Sequence, residues 1–168
     1  MRYATIGTGW ITGAFIEGAG IAGNMELAAV YSREEKTGRA FSEKYGSKPV
    51  FTDLERLASS PLIDGVYIAS PNVLHYSQSK LFLEHGKHVI CEKPAAVTSD
   101  QMRELNLLAR RSGLVYMEAI MMRYLPAREL LYKALDRIGN ITTARFDFSQ
   151  LSSKYPALLE GKLPNIFN

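Results

Sequence analysis

Short apolar runs alternate with longer amphipathic segments through the first two thirds of the chain. The apolar runs predict strands at 2–6, 26–31, 65–69, 88–91 and 115–118, with a weaker strand at 50–51. The amphipathic segments between them predict helices at 11–20, 33–45, 54–58, 73–85 and 100–111. Strands that alternate with helices are typical of βαβ units, which build a parallel sheet covered by helices on both faces.

Several of these predicted helices carry start signals. A hydroxyl residue three positions before Glu or Gln is the capping-box pattern, in which the two side chains bind the free amides of a helix start. The chain has this spacing at Ser32 and Glu35, Thr52 and Glu55, and Thr98 and Gln101.

The pattern changes after residue 120. A helix is predicted at 126–138, and the segment 141–151 then alternates apolar and polar side chains, with Phe146 and Phe148 on one side. Such alternation predicts a half-buried strand, which needs neighbouring strands that the remaining residues do not supply. We therefore predict a complete α/β domain at 1–120 and, at 121–168, the incomplete start of an α+β domain.

Composition narrows the class of protein. Hydrophobic residues make up 46% of the 168 residues, charged residues 22%, and the net charge is +3 without a basic run. This composition is typical of a globular domain and gives no sign of nucleic-acid binding. No apolar run approaches the roughly 20 residues of a membrane helix, no signal peptide is visible, and there is one cysteine. We predict a cytoplasmic protein without a metal site.

The first predicted strand runs directly into the sequence Gly-Thr-Gly-Trp-Ile-Thr-Gly at 7–13. In a Rossmann fold, a glycine-rich turn of this kind lets the backbone approach a pyrophosphate at the helix N-terminus. We therefore predict a Rossmann-type doubly wound sheet in which Gly7, Gly9, Trp10 and Ile11 border a dinucleotide. Thr12 stands where the third glycine is usual, and a plain strand-to-helix turn is the alternative.

The end of the second strand bears on the choice of cofactor. It reads Tyr-Ser-Arg at 31–33, with no acidic residue before Glu34. An acidic residue here usually binds the ribose of NAD, whereas an arginine accommodates the 2′-phosphate of NADP. Ser32 and Arg33 thus favour NADP, with NAD as the alternative. In the other interpretation, Ser32 only caps its helix and Arg33 is a solvated surface residue.

Lys93 follows the strand at 88–91, in the sequence Glu-Lys-Pro at 92–94. Ligands of open α/β sheets bind beyond the carboxyl ends of the strands. Proline biases the preceding residue toward an extended backbone, which would hold the ammonium group in a defined place. Lysine can donate or accept a proton, so we predict that Lys93 is catalytic, although most lysines are ordinary surface charges.

These motifs together resemble the Gfo/Idh/MocA family (glucose-fructose oxidoreductase, inositol dehydrogenase and MocA), especially its dihydrodiol and xylose dehydrogenase-like branch. The matching segments are 7–11, 31–33, 64–72 with His75, 86–94 and 117–126. The resemblance implies hydride transfer between NAD(P) and a hydroxyl-bearing carbon of a sugar, polyol or diol. It further implies that Lys93 binds the reacting oxygen and that Glu92 lies beside the nicotinamide ribose. The cofactor would be bordered by Ser70, Pro71, Asn72 and His75, with Arg123 near its nicotinamide end. For His75, a structural role at a helix start is an equal alternative.

The resemblance also implies a second domain that covers the nicotinamide, binds the substrate and often pairs subunits, so a homo-oligomer is expected for a full-length form. Members of this family run to about twice the present length. A non-catalytic dinucleotide-binding module and an interaction subunit therefore stay open as alternatives to a dehydrogenase.

Overall fold

A computed structural model of the chain describes residues 1–152 and 155–162. Its sheet contains six parallel strands in the order β3-β2-β1-β4-β5-β6. They are β1 (Arg2–Ile6), β2 (Glu26–Tyr31), β3 (Val50–Phe51), β4 (Gly65–Ile68), β5 (His88–Cys91) and β6 (Tyr116–Glu118). The chain crosses to one side of β1 and then to the other, so the predicted doubly wound sheet is confirmed.

Helices connect the strands and continue beyond them. They are α1 (Trp10–Ala22), α2 (Glu35–Ser42), α3 (Leu54–Ala58), α4 (His75–Glu84), α5 (Ser99–Arg111), α6 (Ala127–Ile138) and α7 (Tyr155–Leu159). Short 3₁₀ turns lie at Glu43–Tyr45, Asn72–Leu74 and Met121–Tyr124. No helix in the described ranges is long and apolar enough to span a membrane.

Of the three predicted capping boxes, the one at α5 forms with its N-cap at Thr98, although the return bond goes to the amide one residue before the N-cap. Thr98 Oγ1 accepts from the Gln101 amide at 3.3 Å, and the Gln101 side chain accepts from the Val97 amide at 3.0 Å. At α3 the prediction was wrong by one residue, because the Asp53 carboxylate caps the helix by accepting from the Arg56 amide at 3.0 Å.

The prediction at α2 was also wrong, because the helix begins two residues later than the pattern suggested. Its first helical residue is Glu35, and Glu34 occupies the N-cap position without a side-chain cap. Ser32 Oγ instead accepts from the Glu34 amide at 3.3 Å. Ser32 thus closes a local turn at the end of β2, a competing use of a serine hydroxyl.

The core lies between the sheet and its helices. Fully buried side chains include Ile6 on β1, Leu57 on α3, Ile68 on β4, Phe82 on α4 and Leu105 on α5. Each side chain of this size contributes about 1.5–3 kcal/mol when taken out of water. The strands of the sheet contribute side chains to this core, so the loops at the strand ends are anchored to packed strands.

Contacts along the chain divide it into two compact units, Met1–Ala119 and Ile120–Asn168. Within the second unit, the predicted helix forms as α6, but the predicted strand at 141–151 was wrong, since these residues have no regular structure. The side chains of Phe146 and Phe148 are almost fully exposed. The sequence does alternate apolar and polar residues here, but a strand forms only when a neighbouring strand binds its backbone amides and carbonyls.

Candidate dinucleotide site

The carboxyl ends of the parallel strands meet at one edge of the sheet, where the sequence motifs come together. The glycine turn follows β1, Ser32 and Arg33 follow β2, Ser70 follows β4 closely, and Glu92 and Lys93 follow β5. A cleft of about 600 Å³ opens at this edge, between the end of β2, the glycine turn and the end of β4. This edge beside β1 is the topological switch point of the sheet, the usual ligand position in such folds.

Gly7 has a backbone conformation that requires glycine. Its φ is +111°, and a Cβ atom would lie 2.6 Å from the carbonyl oxygen of Ala69. The glycine therefore allows the chain to turn closely against the end of β4, and both Gly7 and Ala69 line the cleft.

Gly9 forms the N-cap of α1, and the surroundings of this helix start suit an anion. No atom lies within 4 Å of the place where a Cβ of Gly9 would stand. The first turn contains no acidic residue, and no side chain caps it. Free amides and the positive end of the helix dipole are what a pyrophosphate needs, so the turn fits the phosphates of a dinucleotide.

Trp10 and Ile11 follow the turn, as the sequence analysis expected. Trp10 is 81% exposed and Ile11 is half-buried. Thr12, in the place of the usual third glycine, is fully buried, and its hydroxyl has no partner in the described residues. The helix therefore accepts a threonine there without opening a gap to solvent.

The end of β2 presents a mixed set of charges to the cleft. Ser32 is nearly buried, whereas Arg33 is exposed, and its guanidinium group has no hydrogen bond or ion pair within the described residues. Glu34 also lines the cleft, and its carboxylate accepts from the hydroxyl of Thr37 at 3.1 Å. One free cation thus stands beside one anion that is already hydrogen-bonded.

The opposite wall of the cleft comes from the end of β4 and the start of α4. Ser70 and Pro71 line the cleft, and the hydroxyl of Ser70 donates to Gln78 Oε1 at 2.6 Å. Asn72 is partly buried and begins the 3₁₀ turn before α4. Gln78 lines the cleft one helical turn after Leu74, and the sequence analysis missed it because no motif includes it.

His75 lies behind this wall. Its side chain is buried, with Nε2 2.8 Å from the carbonyl oxygen of Ser70 and Nδ1 2.8 Å from that of Pro94. Both contacts of His75 are with backbone carbonyls, those of Ser70 and Pro94, and its predicted contact with a cofactor stays a prediction.

Lys93 is exposed at the end of β5, on a segment held by two carboxylates. Glu92 accepts from the hydroxyl of Tyr67 at 2.8 Å and, through its other oxygen, from the backbone amide of Lys93 at 3.3 Å. Glu118 at the end of β6 accepts from the amide of Ala95 at 3.0 Å. The backbone around Lys93 is thus fixed on both sides, while its ammonium group points to no partner among the described residues.

Arg123 was predicted to lie near the nicotinamide, and Cys91 is the single cysteine of the sequence. Arg123 belongs to the second unit, in the 3₁₀ turn before α6, where its carbonyl accepts from Arg128 at 2.9 Å. Cys91 is buried, and burial raises the pKa of its thiol to about 12, so the thiol stays protonated and unreactive. In the described part of the chain, no group of acidic, histidine or cysteine side chains could hold a metal ion.

Comparison with known proteins shows which family the chain is similar to. The model of the "GFO_IDH_MocA: Oxidoreductase family, NAD-binding Rossmann fold" matches residues 1–120. The chain is 43% identical to the uncharacterized oxidoreductase YgjR of Escherichia coli over 168 residues, all of this chain and 51% of that protein. It is 41% identical to scyllo-inositol 2-dehydrogenase (NADP(+)) IolU of Bacillus subtilis over 99% of this chain and 51% of that protein.

Among solved structures, the chain is similar to KijD10, a 3-ketoreductase from Actinomadura kijaniata in complex with NADP and TDP-benzene. The TM-score is 0.77 at 28% identity, over 82% of this chain and 42% of that one. The chain thus spans about half the length of the relatives that it matches. Through its family match and its parallel sheet with a glycine turn at the switch point, the chain belongs to the Gfo/Idh/MocA oxidoreductase family, with an NAD-binding Rossmann fold.

Proposed function

We propose that this chain binds NADP(H) along the carboxyl edge of its sheet and acts as the cofactor-binding part of an NAD(P)-dependent dehydrogenase. The proposed reaction transfers hydride between the cofactor and a hydroxyl-bearing carbon of a sugar, polyol or diol. The observation that carries the proposal is that one edge unites the open start of α1, the exposed Lys93 and Arg33, which has no partner among the residues that the structure describes. The similarity to a scyllo-inositol 2-dehydrogenase, IolU, and to a 3-ketoreductase, KijD10, supports a polyol or sugar substrate.

At the adenosine end, we infer that Ser32 and Arg33 bind the 2′-phosphate of NADP. Arg33 lines the cleft without an ion pair in the described part of the chain, and the Ser32 hydroxyl can donate while it accepts from the Glu34 amide. The carboxylate of Glu34 opposes a phosphate, but it is already hydrogen-bonded to Thr37. Because a hydrogen bond to a charged group contributes about 1.5–3 kcal/mol, Arg33 is sufficient to favour NADP over NAD by tenfold or more.

At the other end, Lys93 is the proposed general acid and base. NADP(H), when bound, supplies or accepts the hydride. Lys93 donates a proton to the oxygen of a carbonyl substrate as it is reduced, and it removes that proton when the alcohol is oxidised. A positioned proton donor of this kind contributes about 10²–10⁴ in rate, and the anchoring of the segment by Glu92 and Glu118 supplies the positioning.

The rest of the proposal concerns the whole protein. We infer that residues 121–168 begin a second domain that binds substrate, with Arg123 near the nicotinamide. A homo-oligomeric full-length form and a cytoplasmic location stay predictions from the sequence.

The test is a titration of the purified chain with NADPH and NADH, by calorimetry and by the fluorescence of Trp10, the only tryptophan. We expect NADPH to bind more tightly than NADH. Arg33→Ala should weaken NADPH binding by about ten- to hundredfold and leave NADH unchanged, whereas Lys93→Ala should leave both affinities near those of the unaltered chain.

A matched control is Arg39→Ala, which removes an exposed arginine of the nearby helix α2 that is already ion-paired with Glu35. It should change neither affinity. A folded chain that binds neither cofactor would refute the dinucleotide site, and equal losses for both cofactors in Arg33→Ala would refute recognition of the 2′-phosphate.

One observation favours an interaction subunit as a second candidate. Phe146 is 94% exposed and Phe148 is 90% exposed, and large exposed apolar side chains mark contact surfaces. A heterologous protein that copurifies in a fixed ratio, together with absent cofactor binding, would support this candidate over the dehydrogenase.

A further inference from the structure

A buried tyrosine reaches the reactive edge from inside the sheet. Tyr67 lies on β4 and is 1% exposed, and its hydroxyl donates to Oε1 of Glu92 at 2.8 Å. The other carboxylate oxygen of Glu92 accepts from the backbone amide of Lys93 at 3.3 Å. Tyr67 and the backbone together therefore hold the Glu92 carboxylate in one orientation beside Lys93.

The ring of Tyr67 is itself held in place. It stacks on Phe15 of α1 with ring centres 3.7 Å apart and planes at 3°, and Phe15 meets the edge of Tyr3 at 5.5 Å. A buried hydroxyl needs a partner, and Glu92 is its acceptor. Burial and the Glu92 carboxylate both raise the pKa of Tyr67 above its ordinary value, so the hydroxyl remains a donor.

The order of the strands indicates which half of a dinucleotide meets Glu92. The pyrophosphate site at Gly9 follows β1, and the proposed 2′-phosphate site follows β2, on one side of β1. A cofactor that extends across the edge places its nicotinamide half on the other side, over the ends of β4 and β5. Glu92 stands there, and an ionised carboxylate has about four acceptor positions, so it can also accept from a ribose hydroxyl.

We propose that Tyr67 is a positioning residue, which holds Glu92 so that its carboxylate binds the nicotinamide half of NADPH. This inference rests on the proposed function, because it needs NADPH at this edge. It adds a residue to which the sequence analysis gave no role and which is not among the residues that line the cleft.

The test compares two ligands on the purified 168-residue chain. NADPH has both halves of the cofactor, whereas 2′,5′-ADP has only the adenosine half with its 2′-phosphate. Tyr67→Phe removes the hydroxyl and keeps the ring that stacks on Phe15. We expect it to weaken NADPH binding about five- to tenfold, the usual effect of one hydrogen bond to a charged group that is partly lost, and to leave 2′,5′-ADP binding unchanged.

A second variant separates positioning from general stability. If Tyr67 acts through Glu92, adding Tyr67→Phe to Glu92→Ala should cause no further loss of NADPH affinity. In that background the Glu92 carboxylate, which Tyr67 would position, is already absent. The matched control is Tyr76→Phe, which removes another tyrosine hydroxyl that donates to a glutamate, Glu104, at 2.7 Å on the surface. It should change neither affinity.

The outcomes are distinct. Tyr67→Phe that leaves NADPH binding intact, or that weakens both ligands equally, would overturn the positioning role while the proposed function stands. Further loss of affinity in the double variant would also overturn it. An unaltered, folded chain that binds neither ligand would overturn the proposed function, and this inference with it.

Discussion

Helices α5 and α6 allow a direct comparison between the two units of the chain. They are 13 and 12 residues long, and both have an apolar face and a polar face. Leu105 of α5 is fully buried against the sheet, whereas Leu130 of α6 is 69% exposed, and α6 has no buried residue at all. An amphipathic pattern thus specifies a helix and the face that should be covered, but the burial depends on a surface that covers it.

The same contrast holds for the strands. The short apolar runs of the first unit pair in register with their neighbours, Ile6 with Ile68 and Ile68 with Cys91, for example. The alternating segment at 141–151 has no such neighbour in the described residues and adopts no regular structure. A strand pattern therefore predicts structure only where the rest of the fold supplies the partner strands.

The largest expected effect comes from shortening one leucine in each helix. Leu105→Ala should lower the free energy of unfolding by about 2–5 kcal/mol, since it leaves a cavity in the core. Leu130→Ala should change it by no more than about 0.5 kcal/mol. Urea unfolding measures both free energies. Circular dichroism is the signal to follow, because the exposed Trp10 makes fluorescence a poor probe of the core. Similar losses in the two variants would mean that α6 is covered in solution.

A smaller difference in the free energy of unfolding is expected between the alanine variants of two glycines with positive φ. Gly7→Ala meets both a left-handed φ and the Ala69 carbonyl at 2.6 Å, so it should cost about 3 kcal/mol and abolish NADPH binding. Gly139→Ala, at φ +79° and ψ −144° with no atom within 4 Å, should cost only the backbone strain of alanine in a glycine-favoured region, about 1–2 kcal/mol. The urea midpoints of the two variants and a calorimetric titration with NADPH decide this. Equal midpoint shifts would show that the close contact at Gly7 relaxes.

The smallest effect is expected from two surface ion pairs. Arg2 lies 2.7 Å from Asp64 in the first unit and holds the pKa of that carboxyl at about 2, below its ordinary 3.8. A lowered pKa in the folded state contributes stability above the ordinary value, and the contribution is lost as the pH falls through 2. Asp64→Asn should therefore destabilise the chain slightly at neutral pH, and its difference from the unaltered chain should shrink in acid.

The matched pair in the second unit is Arg145 and Asp147, 3.2 Å apart and more exposed. Asp147→Asn should leave the urea midpoint unchanged at every pH, since exposed pairs contribute little. A pH-independent effect of Asp64→Asn would argue that its hydrogen bond to the Arg2 backbone, and not its charge, is what matters.

Much of the first unit could be predicted because its signals are local. The strand β1, the glycine turn at Gly7 and the cap at Thr98 each depend on a few adjacent residues. The helix starts at Ser32 and Thr52 were predicted wrongly for an equally local reason, because an alternative hydrogen bond of Ser32 and a competing cap by Asp53 lay within two residues. Gln78 lies outside the matching segments, and Tyr67 lies inside the segment 64–72 without a role assigned to it, so the place of both residues at the candidate site was not predicted.

The sequence by itself determined the order of strands and helices, the turn that needs glycine at position 7, and the residue types that end each strand. These depend on backbone conformation and periodicity, which neighbouring residues decide. The tertiary structure alone decided that Tyr67 meets Glu92, that His75 touches the backbone at Ser70 and Pro94, and that α6 stays uncovered. Contacts between residues far apart in the chain follow from which strands lie side by side, and only the folded sheet specifies that.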